Sequence, residues 1–247
     1  MSCESAPISW GESLRETDYA DLERSWITRP YADRAQLRRV TSFDGASIVG
    51  RRNNGSYAGI IFPYIWPGED HVRDYRLRRD QPDLELDAAG NHKQKNKYLS
   101  PPERGNKLYF VPGTPAGLLT NPRVPVAITE GEKKTIALYR LAWYQITADL
   151  PHFLPVGLCG VWSFRGTIGK VPGPDGSRRD EKGVIPDLER LVWTDRVVFV
   201  IYDANVRTNP KVAAARRALT RELKQRGARV FWVNLPAADE ISRDQRS

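Results

Sequence analysis

Apolar and polar positions follow two alternating periodicities in the second half of the chain. Short continuous apolar runs, typical of strands buried on both faces of a parallel sheet, are each followed by a segment with apolar residues at helical spacing. The predicted strands cover residues 126–129, 155–158, 197–202 and 229–235, and the predicted helices cover 132–143, 185–191 and 211–226. This alternation predicts an α/β fold with a parallel sheet flanked by helices.

The first half of the chain has a different pattern. Leu14, Leu22 and Trp26 recur near helical spacing, and a second short helix is predicted around residues 32–40. Strands are predicted at 47–49, 57–65 and 72–77, separated by turn-forming residues. We therefore expect a smaller basic α+β domain over 1–112, the α/β domain over 124–236 and a flexible tail over 237–247.

One internal segment is predicted to lack regular structure. Residues 169–183 are rich in glycine, proline and charged side chains, which predicts a long mobile loop between two elements of the α/β domain.

The charge of the chain favours an acidic partner. The formal net charge is +8 and the pI is about 9.6, and nucleic acid is the commonest acidic partner of a basic protein. In the first domain, cations alternate with aromatic residues, a composition that suits a groove for single-stranded nucleic acid. The alternative interpretation is a small β domain with ordinary surface cations. The residues predicted to bind nucleic acid or phosphate are Arg76, Arg78, Arg79, Lys95, Lys97, Lys107, Lys133, Lys134 and Arg165.

Composition argues against several other classes of protein. Cys3 and Cys159 are far apart and the three histidines are scattered, so a disulfide framework or a zinc centre is not expected. No apolar run reaches the roughly 20 residues of a membrane span, and the polar N-terminus does not resemble a signal peptide. We expect a cytoplasmic protein without a membrane partner.

Two predicted strands end in a carboxylate. Glu130 follows the strand at 126–129, and Asp203 follows the strand at 197–202. Open α/β sheets bind ligands at the carboxyl ends of their strands, and Mg²⁺ or Mn²⁺ takes oxygen ligands. The two acids therefore predict a divalent-cation site if their strands are neighbours. The alternative is that each carboxylate simply lies beside a helix N-terminus, where its charge is favourable.

The residues after Glu130 support a site for phosphate. Gly131 permits a sharp turn and close approach of a ligand to the helix that follows. Lys133 and Lys134 fall in the first turn of that helix, where their charge opposes the helix dipole. A locally unfavourable choice of this kind indicates function.

The same segments resemble a known family. The sequences ITEGEKKTIAL and VVFVIYDANVRTNPKVAAARRALTRELKQRGARVFWVNLP, with GLCGVWSFRG between them, are similar to the Toprim domain. Toprim is the metal-binding α/β module of DnaG-type primases, topoisomerases and some nucleases. The closer resemblance is to Toprim-like domains of uncharacterised replication proteins from mobile elements. The basic segment upstream resembles the N-terminal part of a primase catalytic core, so the resemblance covers roughly residues 40–236.

The resemblance implies roles for individual residues. Glu130 would be a metal ligand or general acid–base group, and Asp203 would bind metal. Asn205 stands where the family has a second acid, and its amide offers an oxygen without charge. Close relatives of the family often have a further acidic pair after the last strand; in this sequence we expect that pair to be missing, with Asp239 as a substitute candidate. The partners implied are single-stranded DNA and nucleoside triphosphates, with a replicative helicase as a further candidate.

Three functions are compatible with this reading. The first is primase-like, metal-dependent nucleotidyl transfer on single-stranded DNA during plasmid- or phage-type replication. The second is a metal-dependent nuclease that uses the same site, because Toprim modules host both chemistries. The third is a non-catalytic nucleic-acid-binding module with a degenerate Toprim site, which Asn205 favours.

Overall fold

A computed structural model of the protein describes residues 10–52, 54–86, 90–147, 149–173 and 177–236. The chain divides into two compact units. The first extends to residue 104 and includes 111–113, and the second contains 105–110 and the chain from 114 onward. Cys3, Asp239 and the predicted tail over 237–247 lie outside the described residues.

The first unit combines short helices with antiparallel strands. Its elements are α1 (Glu16–Glu23), α2 (Arg29–Arg34), β1 (Arg38–Val40), α3 (Ser42–Ile48), β2 (Gly59–Ile65), β3 (Val72–Arg79), β4 (Asp83–Leu86), β5 (His92–Lys95) and β6 (Tyr98–Leu99). The strands form a four-stranded sheet in the order β1-β2-β3-β6, and β4 pairs with β5 as a separate hairpin. The strands predicted at 57–65 and 72–77 are confirmed as β2 and β3.

A small apolar core holds the first unit together. Every residue of β2 is buried, because this strand lies inside the sheet between β1 and β3. Val40, Val49, Ile61 and Leu77 form one buried cluster that joins three strands to the end of α3. Burying four such side chains stabilises the unit by several kcal/mol, at about 1.5–3 kcal/mol each.

Two predictions for the first unit are wrong. Residues 47–49 are not a strand, because α3 begins after Thr41, whose hydroxyl accepts a hydrogen bond from the Asp44 amide at 3.2 Å. The helix predicted around 32–40 ends early, since Gln36 adopts φ +52° and the chain then enters β1. In both cases a local turn or cap outweighs the short apolar pattern.

The second unit contains the parallel sheet. Its elements are α4 (Gly117–Thr120), β7 (Val126–Glu130), α5 (Glu132–Ala142), β8 (Leu154–Leu158), β9 (Arg165–Pro172), β10 (Arg178–Val184), β11 (Val197–Tyr202), α6 (Pro210–Gln225) and β12 (Arg229–Asn234), with 3₁₀ helices at Pro186–Arg190 and Ala204–Arg207. The strand order β12-β11-β7-β8 is parallel throughout. This four-stranded sheet flanked by helices is consistent with a Rossmann-like core, as the alternating pattern predicts.

The long helix of the second unit begins and ends where the sequence indicates. The Asn209 side chain accepts hydrogen bonds from the amides of Lys211 and Val212 at 3.0 and 3.4 Å, and Pro210 occupies the first helical position. Gly227, at φ +87°, turns the chain out of the helix and into β12. The crossover from β11 through α6 to β12 therefore places two parallel strands side by side.

The predicted loop over 169–183 is a β-hairpin in its described part. Strands β9 and β10 pair antiparallel from Arg165 opposite Val184 to Pro172 opposite Arg178, and residues 174–176 lie outside the described residues. Most side chains of the hairpin are exposed. It therefore has no buried apolar face whose periodicity could have revealed it.

Arg196 is a fully buried cation at the start of β11. Its guanidinium donates hydrogen bonds to the carbonyl oxygens of Val124 at 2.8 Å, Leu119 at 2.8 Å and Leu118 at 2.6 Å. Burial lowers the pKa of Arg196 to about 10, so the side chain remains charged at neutral pH. One side chain thus satisfies the carbonyl groups at the end of α4 and before β7.

No helix among the described residues is long and apolar enough to cross a membrane.

Candidate active site

The two predicted acids lie at the carboxyl ends of neighbouring parallel strands. Glu130 is the last residue of β7, and Asp203 directly follows β11. The pairing of these strands ends with Thr129 opposite Ile201, one residue before Glu130 and two before Asp203. Because paired strands lie about 4.8 Å apart, both acids belong to one edge of the sheet. The condition that the sequence left open, that the strands are neighbours, is met.

The turn after Glu130 depends on a glycine. Gly131 has φ +87°, a conformation that a side chain disfavours, and its amide donates a hydrogen bond to the Leu158 carbonyl at 2.7 Å. The Gly131 carbonyl accepts hydrogen bonds from the amide and the hydroxyl of Thr135, at 3.2 and 2.9 Å. The turn therefore joins the end of β7 to β8 and fixes the direction in which α5 begins.

A lysine from the first turn of α5 reaches the second acid. The Lys134 ammonium lies 2.5 Å from the Asp203 carboxylate, and the two side chains are 42% and 43% exposed. This ion pair links the turn after Glu130 to the end of β11. It also means that the charge of Asp203 is compensated within the protein, although both groups stay accessible to solvent.

Glu130 is half-buried beside an aromatic hydroxyl. Burial raises the pKa of Tyr202 well above its ordinary value, the nearby Glu130 carboxylate raises it further, and Arg216 opposes the rise. The Tyr202 hydroxyl donates a hydrogen bond to the Val161 carbonyl at 3.0 Å. Tyr202 is therefore neutral, and its hydrogen bond holds it to the segment after β8.

The third predicted ligand lies in a different environment. Asn205 is exposed within the 3₁₀ helix Ala204–Arg207, and its backbone carbonyl accepts hydrogen bonds from the amides of Thr208 and Asn209 at 3.1 and 2.7 Å. Within the described part of the chain, no hydrogen bond joins its side chain to Glu130 or Asp203. Asn205 therefore lies two residues after Asp203, at an exposed position of a short helix.

The carboxylates at this edge of the sheet suit a hard cation whose remaining ligands are water and substrate phosphates. Among the residues that the structure describes, no group of three or more His, Cys, Asp or Glu side chains could hold a metal ion. Magnesium in phosphate-transfer sites commonly uses one or two protein carboxylates and completes its shell with water and substrate phosphates. Glu130 and Asp203 fit that requirement, and they do not fit a cation that needs a full protein shell.

Sequence reasoning missed two charged residues near this edge. Arg216 on α6 is 9% exposed, hydrogen-bonds the Asn234 side chain at 2.9 Å and acts on the pKa of Tyr202. Glu132, the first residue of α5, is 1% exposed. Arg216 could have been recognised from its position in the sequence, because it falls within the buried stripe of α6, where an apolar residue is expected.

The remaining cations predicted for the second unit occupy separate elements. Lys133 is half-buried in the first turn of α5, and Lys107 is half-buried in the segment before Leu108. Arg165 is exposed at the start of β9, and its carbonyl accepts a hydrogen bond from Asn106 at 2.7 Å. Lys133 and Lys134 are thus the two cations that share the helix turn following Glu130.

In the first unit, the predicted cations divide by burial. The prediction that Arg79 binds phosphate is wrong, because its side chain is buried. Arg79 is 4% exposed and donates hydrogen bonds to the Ser56 carbonyl at 2.6 Å and to Asp83 at 2.9 Å. Lys95 is exposed and pairs with Glu85 at 2.8 Å. The half-buried cations are Arg76, which lies over the Tyr98 ring at 5.0 Å, Arg78 and Lys97.

Comparison with known families adds one finding. A family model described as "Domain of unknown function (DUF3854)" matches residues 116–241, which include the parallel sheet and both acids. Neither the comparison with curated proteins nor that with solved structures gave a match.

Proposed function

For this chain, which belongs to the DUF3854 family, we propose a primase-like enzyme that joins nucleotides on a single-stranded DNA template. The observation that carries the proposal is the position of Glu130 and Asp203 at the carboxyl ends of adjacent strands, with Lys134 paired to Asp203. Strand ends of α/β sheets are where such folds bind ligands, and paired carboxylates there suit a divalent cation. The Toprim assignment of the α/β unit is part of this proposal.

In the proposed reaction, a 3′-hydroxyl attacks the α-phosphorus of a nucleoside triphosphate and pyrophosphate leaves. Glu130 and Asp203 would hold Mg²⁺ or Mn²⁺, with Asn205 as a neutral third ligand. The cation, when bound, supplies positive charge next to the phosphate oxygens. The half-buried Glu130 would accept the proton of the attacking hydroxyl.

Lys133 and Lys134 would bind the phosphates of the incoming nucleotide. Both lie in the first turn of α5, where backbone N–H groups also favour an anion. In the free protein Lys134 neutralises Asp203. A triphosphate offers Lys134 a more highly charged partner, so we expect the lysine to exchange Asp203 for phosphate when substrate binds.

The first unit would hold the template. Arg76, Arg78, Lys95 and Lys97 lie on or next to its strands, and Arg76 stacks on Tyr98. Cations bind the phosphates of a single strand and aromatic rings stack on its unpaired bases, so a surface with both is typical of single-strand binding.

Template-directed synthesis tests the proposal. Purified full-length chain is incubated with single-stranded DNA, labelled nucleoside triphosphates and either Mg²⁺ or Mn²⁺, and products are separated by length. We expect labelled oligonucleotides whose formation requires both template and metal. Absence of product with every nucleotide and metal combination contradicts the proposal, and metal-dependent shortening of the DNA without nucleotides identifies a nuclease instead.

A second candidate is a nucleic-acid-binding module without catalytic activity. The Lys134–Asp203 ion pair and the uncharged Asn205 favour it, because both reduce the negative charge available to a cation. In that case DNA binding should not require metal, should persist when Glu130 and Asp203 are replaced by their amides, and should weaken steeply with salt.

A further inference from the structure

A groove on the outer side of the second unit carries a separate set of cations beside an exposed tryptophan. It lies between α6 and the edge strand β12 and has a volume of about 450 Å³. None of its lining residues belongs to the acidic pair or to the cations predicted from the sequence. The lining residues are Arg217, Thr220, Arg221, Lys224, Gln225 and Trp232.

The three cations of the groove form one stripe along the helix. Arg217, Arg221 and Lys224 are spaced by four and three residues, which places them on the same face of α6 over about 10 Å. All three are exposed, and none forms an ion pair within the described part of the chain. The neighbouring acid Glu222 is already paired with Arg226 at 2.9 Å.

Trp232 is held in place yet exposes much of its ring. The Arg216 guanidinium lies 4.1 Å from the ring centroid and covers one face. The indole N–H donates a hydrogen bond to the Thr220 hydroxyl at 2.8 Å, and that hydroxyl donates to the Arg216 carbonyl at 2.8 Å. With these contacts made, Trp232 is still 45% exposed, so a fixed ring surface faces the groove.

We infer that this groove binds single-stranded nucleic acid, with phosphates along the arginine and lysine stripe and an unpaired base stacked on Trp232. The cations match the charge of a backbone, and among the described lining residues no acid opposes it. The exposed Trp232 ring beside the stripe favours a nucleic-acid strand over an acidic peptide. Every nucleotide of a strand carries a planar base that can stack on the ring, whereas an acidic peptide has no obligatory planar group. The binding requires no metal and does not depend on the proposed catalysis.

Fluorescence anisotropy with a labelled oligothymidylate of about 15 nucleotides tests the site, since single-strand sites commonly cover up to about 16 nucleotides. The chain is titrated in EDTA, so that the acidic pair does not contribute through metal, and every variant carries K95A/K97A, which weakens the template surface proposed for the first unit. We expect the R217A/R221A double variant to bind the oligonucleotide about tenfold or more weakly than the chain with both arginines. The slope of log K against log salt concentration should become shallower by about 1.4, at about 0.7 per lost phosphate contact. Lys211→Ala, an exposed cation on α6 outside the groove, is the matched control and should bind like wild type.

Trp232 is tested with a second probe. Trp232→Ala should weaken binding of oligothymidylate about fivefold or more and leave binding of an abasic strand of equal length unchanged, because only the former can stack. Trp232→Phe should retain most of the affinity.

Three results would overturn the assignment. The first is that wild type does not bind oligothymidylate. The second is that R217A/R221A binds as tightly as Lys211→Ala. The third is that a polyglutamate peptide displaces the strand at equal concentration. Because the two arginines are exposed, their replacement leaves the fold intact. The result therefore remains decisive even if Trp232→Ala is unstable. If the chain synthesises no primer but still binds DNA through the groove, the proposed function is rejected and the groove assignment stands.

Discussion

Replacing Glu130 by glutamine is expected to reduce template-directed nucleotide incorporation by about 100-fold or more, the range over which a positioned acid–base group contributes. Glutamine has nearly the same size as glutamate but cannot accept a proton or carry the charge that a divalent cation needs. Glu130 is half-buried at the end of a central strand, so the substitution exchanges one polar side chain for another without exposing the core.

The measurement is the rate of product formation at saturating nucleotide and metal, with circular dichroism to confirm that the fold is unchanged. Glu181→Gln is a matched control, because Glu181 is an exposed glutamate on the β9–β10 hairpin. Activity of Glu130→Gln within threefold of the control variant would remove Glu130 from the chemistry.

Replacing Arg196 by alanine is expected to lower the free energy of unfolding by roughly 3–5 kcal/mol, because buried carbonyl groups lose their donor and a large buried side chain leaves a cavity. Its guanidinium is 0% exposed and donates to the carbonyl groups of Leu118, Leu119 and Val124. The Leu119 carbonyl keeps a hydrogen bond from the Val192 amide at 3.1 Å, whereas the other two would lose the arginine as a donor. Each unsatisfied carbonyl costs about 1–3 kcal/mol.

Chemical denaturation followed by far-UV circular dichroism gives the change in unfolding free energy. Arg196→Lys keeps the charge but cannot reproduce the fork of hydrogen bonds, so an intermediate loss is expected. Arg229→Ala, an exposed arginine on β12, should change stability by less than about 0.5 kcal/mol. A loss below 1 kcal/mol for Arg196→Ala would show that these carbonyls find other partners.

The sequence predicts the α/β unit well because its strands are apolar runs, of which β7 and β8 are buried on both faces. Apolar runs, an asparagine cap before Pro210 and a glycine after α6 each specify local structure without reference to distant parts of the chain. The β9–β10 hairpin could not be predicted in this way. Its side chains are largely exposed, and backbone pairing leaves no apolar pattern in the sequence.

The chemistry of the strand ends was predictable only in part. Each acid is recognisable by its place after an apolar run, but sequence cannot show that strands about 70 residues apart are adjacent. The Lys134–Asp203 ion pair depends on that adjacency. The prediction that Arg79 binds phosphate was the larger error, since Arg79 is buried by a contact with the distant Ser56 carbonyl that no local pattern records.

Binding of Mn²⁺ is the most direct test of the acidic pair. Electron paramagnetic resonance of free Mn²⁺, titrated against the chain without nucleotide because a triphosphate would itself bind Mn²⁺, reports affinity without requiring turnover. We predict one Mn²⁺ per chain, with affinity reduced about tenfold or more in both Glu130→Gln and Asp203→Asn, because each removes a charged ligand. Lys134→Ala should not weaken binding, since it releases Asp203 from its ion pair. Equal Mn²⁺ affinity in wild type, Glu130→Gln and Asp203→Asn would contradict the account.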